Sequence, residues 1–514
     1  MKSYNWLIAI LAIIKLLLPF ILQDSFYQLH RDEFLYLAEG QHLAWGFMEV
    51  PPLLGFLAWV THLLGNGFVA VKFFPALFGA LTFVLTARII TSIGGGLYAI
   101  FLSFLAFIFG AYLRVHYLFQ PNFLEIFFYT LVAFSVIRYI QTKNNIYLYV
   151  FGVACGLGML SKYSIAFFII GIIVGLLLSK QRNIFANKHF YFASAIGIII
   201  FLPNILWQYN HKFPVQQHMQ ELQETQLQYV SSTGFIKDQF LMNLPCVYVW
   251  IVGLLFLILS KKGRQYIFIF WAYTILITLL IIFHGKNYYA LGAYPVLFAF
   301  GAYLLERLTR KRVPFMRWVF ITITFYFGIL STFLTLPMFP PQKLAEIYKD
   351  KNVEKTGALK WEDLQNHALP QDFADMISWK EITEKTANVY NSLSDDEKNK
   401  TIIKCDNYGL CGALNYYGKQ YGLPEAYSTN ASFLLWMPDT YKVVNVITVG
   451  ENYPDTARDI VKQFAHITVK DELIDTLARE NGCKIILWQH ANENILSNFI
   501  TTEVAEKKAR FIRK

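Results

Sequence analysis

Residues 4–34 read YNWLIAILAIIKLLLPFILQDSFYQLHRDEF and join a long apolar run to an acidic pair, Asp32 and Glu33. The apolar part is close to the roughly 20 residues that a helix needs to cross a bilayer. No small-residue cleavage pattern follows it and more apolar runs come later, so we expect a retained first span rather than a removed signal peptide. The stretch therefore indicates a membrane protein whose first loop carries two carboxylates.

The same apolar character extends over most of the chain. Hydrophobic residues make up 55% of its 514 residues and charged residues only 16%, against about 25% charged in a typical soluble protein. We predict a polytopic α-helical membrane protein with eleven spans, or up to thirteen. The run at residues 53–64 is too short to span and is predicted to be interfacial or re-entrant. The predicted spans are residues 4–22, 67–90, 97–112, 121–140, 146–161, 163–179, 190–207, 241–260, 265–283, 288–305 and 316–336.

The composition changes near residue 337, which predicts two domains. Residues 1–336 are the expected transmembrane domain, with outer loops at 23–52 and 208–240. Residues 337–514 mix helical stretches with short β-like runs, so we expect a soluble α/β domain. Within it, Cys405 and Cys411 could form a local disulfide if the domain faces an oxidising compartment.

The net charge of +10 suggests nucleic acid at first sight. Many of the basic residues, however, lie in short loops between apolar runs, as membrane orientation requires. We therefore expect no nucleic-acid partner, a cytoplasmic N-terminus and a location in the inner (plasma) membrane. An odd number of spans then places the C-terminal domain outside, in the periplasm or extracellular space.

Acidic residues of the outer loops are the first candidates for chemistry. Asp32 could act as a general base that deprotonates an acceptor, with Glu33 as its helper. The alternative is that both simply begin a helix, where acids suit the helix dipole. Glu125 lies at the outer start of a span and either faces the bundle interior or pairs with Arg114 or Arg138.

Three cations, Arg114, Lys162 and Lys286, fall at outer ends of predicted spans. Basic residues are disfavoured on that side, and a lipid phosphate or pyrophosphate would explain their presence, because fixed cations stabilise a leaving anion. Snorkelling to lipid headgroups is the alternative. The chain carries no Walker phosphate loop, no GxSxG elbow and no GxGxxG fingerprint.

A divalent metal is a candidate cofactor. Glu49, His211 and His218 could hold it, since two His seven residues apart share a helical face. The alternative is that the two His are interfacial residues with no ligand.

Six stretches, taken in order, resemble the bacterial glycosyltransferase family 39 proteins, which are relatives of the protein O-mannosyltransferases and the lipid A aminoarabinose transferases. The stretches are HRDEFLYLAEGQHLAWGFMEVPPLL, RVHYLFQPNFLEIFF, GLGMLSKYSIAF, PNILWQYNHKFP, HGKNYYALGAYPVLFAFGAYLLE and NYGLCGALNYYGKQYGLPEAYSTNASFLLWMPD. The resemblance implies the membrane fold called GT-C, a polyprenyl-phosphate sugar as donor and inversion at the anomeric carbon.

The resemblance also implies residue roles. The family's proposed base falls on Asp32, and Glu33 completes the same motif. Glu125 falls where relatives usually carry Asp. Lys286, Tyr288 and Tyr289 fall at lipid-phosphate contacts, Lys162 matches a recurrent Lys at an outer helix end, and Glu49 falls on an acid that binds metal with a His in one branch. Val50 departs from the aminoarabinose transferases, which carry Lys there, so that particular substrate is disfavoured.

The predicted function is therefore transfer of a sugar from a polyprenyl-phosphate donor to a lipid, glycan or protein acceptor outside the cytoplasm. A multi-spanning transporter or lipid flippase is the alternative. It is disfavoured because no internal repeat is seen and the charges gather at one face rather than at the midplane.

Overall fold

The structure is a computed structural model that describes residues 4–225, 227–229, 231–311, 313–451 and 459–512. Within these residues, seven helices are long and apolar enough to cross a membrane. They are Asn5–Leu22, Phe68–Ser92, Asn122–Thr142, Lys188–Asn210, Gly263–Ile282, Asn287–Thr309 and Met316–Thr335. An eighth span is formed if Ser232–Met242 and Leu244–Leu259, which are bent by 70° at their junction, count together. The chain is thus a multi-pass membrane protein.

Three of the eleven predicted spans are helices too short for the length criterion: Leu97–Ile108, Ile146–Ser161 and Ile165–Leu177. The longest has 16 residues. A rise of 1.5 Å per residue gives it a length of about 24 Å, against a hydrocarbon core of about 30 Å. The predicted count of eleven is therefore larger than the seven or eight helices that meet the criterion. Leu53–Leu63, predicted to be interfacial or re-entrant, is also a short apolar helix.

Small residues let the membrane helices approach closely. A Cβ on Gly152 would clash with the carbonyl oxygen of Ala193, and one on Gly197 would lie 2.7 Å from that of Gly152. This backbone contact joins Ile146–Ser161 to Lys188–Asn210. Close packing of small residues is a common source of helix association in a bilayer, where apolar burial between helices drives little.

Further helices lie between and beyond the spans. The loops between the spans contain Arg31–Gln41, Ala111–Val115 and Pro214–Thr225. The C-terminal part contains Pro341–Asp350, Gln371–Ala374, Trp379–Asn391, Asp395–Lys398, Tyr408–Tyr417, Phe433–Trp436 and Glu493–Ala509.

A five-stranded mixed sheet forms the centre of the C-terminal part. Its strands are β1 (Thr401–Cys405), β2 (Ala426–Tyr427), β3 (Asn445–Gly450), β4 (His466–Glu472) and β5 (Lys484–Gln489). The order is β2-β1-β3-β5-β4, with β1 parallel to both neighbours and β5 antiparallel to both of its own. The predicted fold class, a helical membrane protein with a C-terminal α/β domain, is confirmed. All five cysteines are free, so no Cys405–Cys411 disulfide is present.

The C-terminal domain docks on the loop that follows the first span. Phe34 packs edge-on against the rings of Trp379 and Tyr417, at centroid distances of 5.5 and 5.8 Å. A Cβ on Gly412 would lie 2.6 Å from the Phe34 Cβ, so only glycine lets the helix Tyr408–Tyr417 come this close. The Arg31 amide also donates to the carbonyl of Asp375 at 3.0 Å. These contacts place the domain directly over the Asp32 region.

Candidate active site

A cavity of about 730 Å³ lies between one set of ends of the membrane helices and the C-terminal domain. It brings together most of the residues that the sequence singled out: Asp32, Glu49, Arg114, Lys162, His218, Lys286, Tyr288 and Tyr289. Glu33, Glu125 and His211 are not among the residues that line it. The C-terminal domain contributes Glu362, Asp372, Asp375, Tyr408 and Arg479 to the wall.

Asp32 is held at the start of the helix Arg31–Gln41 by a capping box. The Nδ1 atom of His30 accepts from the Asp32 amide at 3.1 Å, and Glu33 accepts from the His30 amide at 2.7 Å. The half-buried Asp32 carboxylate accepts one hydrogen bond on each oxygen, from Gln120 at 3.0 Å and from the Tyr408 hydroxyl at 2.7 Å. Each oxygen keeps a free lone pair, so the carboxylate can still accept a proton from a molecule in the cavity.

Glu33 points away from the cavity into the protein. Its carboxylate is fully buried and lies 2.6 Å from the Lys72 Nζ at both oxygens. The backbone amide of Phe119 donates to it at 2.7 Å. Glu33 therefore connects the start of the helix Arg31–Gln41 to the helix Phe68–Ser92 and to the segment before Asn122–Thr142. Its side chain is not exposed to the cavity and cannot touch a substrate there.

Lys162 is the most enclosed of the three cations. Its Nζ lies 2.6 Å from Asn122 Oδ1, 3.2 Å from Glu125 and 3.9 Å from the centroid of the Tyr289 ring. Glu125 is 2% exposed and also accepts from the Ser164 hydroxyl at 2.5 Å. Glu125 thus faces the protein interior, as the first of its two alternatives predicts. The other alternative, pairing with Arg114 or Arg138, is wrong, because the carboxylate lies next to Lys162 instead.

The other two cations meet carboxylates of the C-terminal domain. Arg114 forms an ion pair with Asp372, and Lys286 lies 3.9 Å from Glu362. Although burial opposes it, Arg114 together with His30 holds the pKa of Asp372 below its usual range. A phosphate that bound to these cations would have to compete with both carboxylates.

His30, Asp372 and Asp375 have ligand atoms close enough to hold a metal, within 4.8 Å of one another. The hydrogen bonding of His30 disfavours that use. Its Nδ1 accepts from the Asp32 amide, so a neutral ring carries its proton on Nε2, which faces both carboxylates at 3.6 Å. Burial raises the pKa of Asp375 to about 6, against the opposing influence of His30 and Arg479. We interpret the group as a link between the C-terminal domain and the Asp32 helix.

The predicted metal site at Glu49, His211 and His218 is not formed within the described residues. Glu49 accepts from the amide and hydroxyl of Ser432, at 2.8 and 2.6 Å. His211 stacks on Trp207 with ring centroids 4.0 Å apart. Only Glu49 and His218 reach the cavity, where burial and Lys286 lower the pKa of His218 to about 4.

Several residues of the site were not predicted from the sequence. Gln120 could have been identified, because it precedes Pro121 and Asn122 at the same helix start as Glu125. Lys72 lies inside the helix Phe68–Ser92 and pairs with Glu33, 39 positions away. Tyr408 is separated from Asp32 by 376 positions, and no spacing pattern joins them.

Comparisons with known proteins agree with this architecture. Residues 49–207 match the family model of the dolichyl-phosphate-mannose-protein mannosyltransferases. The structure of ArnT from Cupriavidus metallidurans bound to undecaprenyl phosphate aligns over 95% of this chain and 98% of its own, with 12% identity and a TM-score of 0.64. Its apo structure gives 11% identity and a TM-score of 0.61 over the same shares.

The Pmt1-Pmt2 protein O-mannosyltransferase complex of S. cerevisiae, solved with its sugar donor, aligns over 43% of this chain and 35% of its own, with 19% identity and a TM-score of 0.33. A search of curated proteins finds no match. The GT-C fold and the resemblance to glycosyltransferase family 39 are confirmed. Together, the family match and the fold support a membrane glycosyltransferase.

Proposed function

We propose that the chain transfers a sugar from a polyprenyl-phosphate carrier to a lipid, glycan or protein acceptor, with Asp32 as the general base. The observation that supports this most is that the Asp32 carboxylate, Lys162 and Lys286 line one cavity. A carrier of this kind is also supported by the ArnT structure, which is bound to undecaprenyl phosphate and shares the fold along nearly the whole chain.

The proposed step is a single displacement. The acceptor hydroxyl or amine forms a bond to the anomeric carbon while the bond from that carbon to the phosphate oxygen breaks. The acceptor proton passes to Asp32, and the polyprenyl phosphate leaves with the bonding electrons. Attack on the face opposite the leaving group inverts the anomeric configuration. A base within hydrogen-bond reach of the acceptor proton is the requirement for such catalysis.

The cations stabilise the charge that develops on the leaving phosphate. Lys162 forms an ion pair with Glu125 and donates a hydrogen bond to Asn122, and the ring of Tyr289 packs against its Nζ. Lys286 lies in the same wall beside Tyr288. In this proposal, Glu125 and Glu33 are positioning residues: each keeps a lysine or a loop in place and neither touches substrate.

We further propose that the cavity opens on the outer side of the inner membrane, with the N-terminus in the cytoplasm. The distribution of basic loop residues supports this orientation. Reporter fusions test it: alkaline phosphatase attached after residue 512 should be active, and a cytoplasm-dependent reporter at the same point should be inactive.

Replacement of the base tests the reaction. Asp32→Asn keeps the shape of the side chain but removes the proton acceptor, so transfer should stop while membrane expression is unchanged. Asp24→Asn, the same change in the same loop at a residue outside the cavity wall, is the control. The readout is mass spectrometry of envelope glycans, lipids and proteins from a deletion strain carrying each variant. Wild-type product levels with Asp32→Asn would remove Asp32 as the base.

A further inference from the structure

We infer that Tyr408 of the C-terminal domain is a positioning residue for Asp32, so that the catalytic centre is complete only when this domain is docked. The inference rests on the proposed function, in which Asp32 accepts the acceptor proton. It assigns the soluble domain a direct part in the reaction, in addition to covering the cavity.

The contact between the two side chains carries the inference. The Tyr408 hydroxyl donates to Asp32 Oδ1 at 2.7 Å, close to the length expected of a hydrogen bond to an ionised acceptor. Gln120, from the membrane part, donates to the other oxygen at 3.0 Å. The carboxylate is thus held between one donor from each part of the protein, and this fixes the direction of its remaining lone pairs.

Tyr408 is itself held in place by its own neighbours. Its amide donates to Asn430 Oδ1 at 3.1 Å, and the Arg31 guanidinium lies 4.7 Å from its ring centroid. A Cβ on the adjacent Gly409 would lie 2.5 Å from Arg31 Cγ, so the glycine makes room for this stacking. The phenol therefore reaches Asp32 from a fixed helix start.

The hydroxyl has two effects on the base. It stabilises the ionised carboxylate that must be present before the proton transfers, and together with Gln120 it fixes the orientation of the carboxylate. Removing the hydroxyl leaves Asp32 in place but poorly oriented and easier to protonate. The loss should therefore appear in turnover and in the acid limb of the pH profile, and only weakly in donor binding.

Tyr408→Phe in the full-length membrane protein is the test, with Tyr421→Phe as its matched control. Tyr421 is half-buried, lies four residues beyond the end of the same helix and lines no part of the cavity. The donor is undecaprenyl phosphate that carries the sugar whose attachment is lost in the deletion strain. A membrane extract of that strain supplies the unmodified acceptor. Initial rates are measured as a function of donor concentration and of pH. Each rate is divided by the amount of folded protein in the sample, which is determined by thermal unfolding in detergent.

We expect Tyr408→Phe to lower kcat by about 10- to 100-fold, the range for loss of a hydrogen bond to a charged group. The donor KM should stay near wild type and the acid limb should move to higher pH, whereas Tyr421→Phe should match wild type. The titratable groups around Asp32 are His30, Arg31, Tyr36, Tyr288, Asp375 and Tyr408. Only the last of these is changed.

Equal kcat values and equal pH profiles for the two tyrosine variants would overturn the inference, as would a loss of activity that merely follows the loss of folded protein. An Asp32→Asn arm separates this failure from failure of the proposed function. If Asp32→Asn is inactive and Tyr408→Phe is normal, only the role of Tyr408 is lost. If Asp32→Asn stays active, the general-base proposal itself is wrong.

Discussion

The buried ion pair between Lys72 and Glu33 gives a quantitative prediction for Lys72→Met. The wild-type carboxylate has four close contacts: Lys72 Nζ at 2.6 Å from each oxygen, and the amides of His30 and Phe119 at 2.7 Å. The variant keeps the two amides but removes the only positive charge among these contacts. Leaving one member of a buried pair uncompensated typically costs about 3–5 kcal/mol, a large fraction of the stability of a domain.

A second substitution separates a structural from a chemical role of Glu33. In Lys72→Met with Glu33→Gln, no charge is stranded and the amide oxygen can still accept from one backbone amide. Because replacing both members of a buried pair is often nearly neutral, the double variant should be more stable than Lys72→Met alone. If Glu33 only positions the loop, the transfer activity of the double variant should recover together with its stability.

The assay is thermal unfolding of the purified protein in detergent, followed by intrinsic fluorescence, with transfer measured on the same samples. Lys237→Met, the same change at an exposed residue of the helix Ser232–Met242, is the control and should unfold like wild type. An unfolding temperature for Lys72→Met equal to that of the control would refute the structural role. A double variant that is stable but inactive would show that Glu33 takes part in the chemistry.

Three further substitutions test the site and the docking surface. Lys162→Met should reduce turnover by about 10- to 100-fold in initial-rate assays, because it removes a charged donor to the leaving phosphate. Unchanged turnover would exclude that contact. Glu362→Gln should lower the donor KM by up to about fivefold, because the half-exposed ion pair of Glu362 with Lys286 is worth at most about 1 kcal/mol. A raised KM would show that Glu362 does not compete with the donor phosphate for Lys286. Gly412→Ala should destabilise domain docking by about 1–3 kcal/mol through overpacking against Phe34. Limited proteolysis measures this, with Gly67→Ala as the control, because a Cβ on Gly67 meets no atom within 4 Å. Equal cleavage of the two variants would contradict the prediction.

The helices of the membrane part were the most predictable feature. Each predicted apolar run coincides with a helix, and the run at residues 241–260 coincides with Leu244–Leu259, the second helix of the bent pair. Apolar composition reports burial in lipid directly, so the runs were readable without tertiary information. Their ability to span was less predictable, because helix length depends on where caps and turns fall. Ile165–Leu177, for example, begins two residues later and ends two residues earlier than the predicted span.

The residues of the site were predicted more reliably than their orientations. Asp32 and Glu33 were treated as partners in one task, yet successive positions on a helix differ by about 100° and do not face the same way. Helical geometry alone could have separated the cavity-facing Asp32 from the inward-facing Glu33. The family resemblance supplied Tyr288 and Tyr289, whose positions beside Lys162 no local pattern indicates.

The contacts of the C-terminal domain could not be predicted from the sequence. Tyr408 meets Asp32, Asp372 meets Arg114 and Glu362 meets Lys286 only because the domain folds back over the loops between the spans. Each partner comes from a segment that is distant in the chain, and loop charges alone allow many pairings. The same reason explains why the alternative pairing of Glu125 with Arg114 or Arg138 was wrong: its partner Lys162 follows an intervening helix.

The central claim is that a proton-accepting carboxylate and phosphate-binding lysines share one reaction chamber. A cryo-electron microscopy structure of the Asp32→Asn variant with a polyprenyl-phosphate sugar tests it most directly. We predict phosphate density within about 3 Å of the Nζ atoms of Lys162 and Lys286, with the anomeric carbon between the phosphate and residue 32. Density for the phosphate outside this cavity, or a sugar that residue 32 cannot reach, would contradict the proposed reaction.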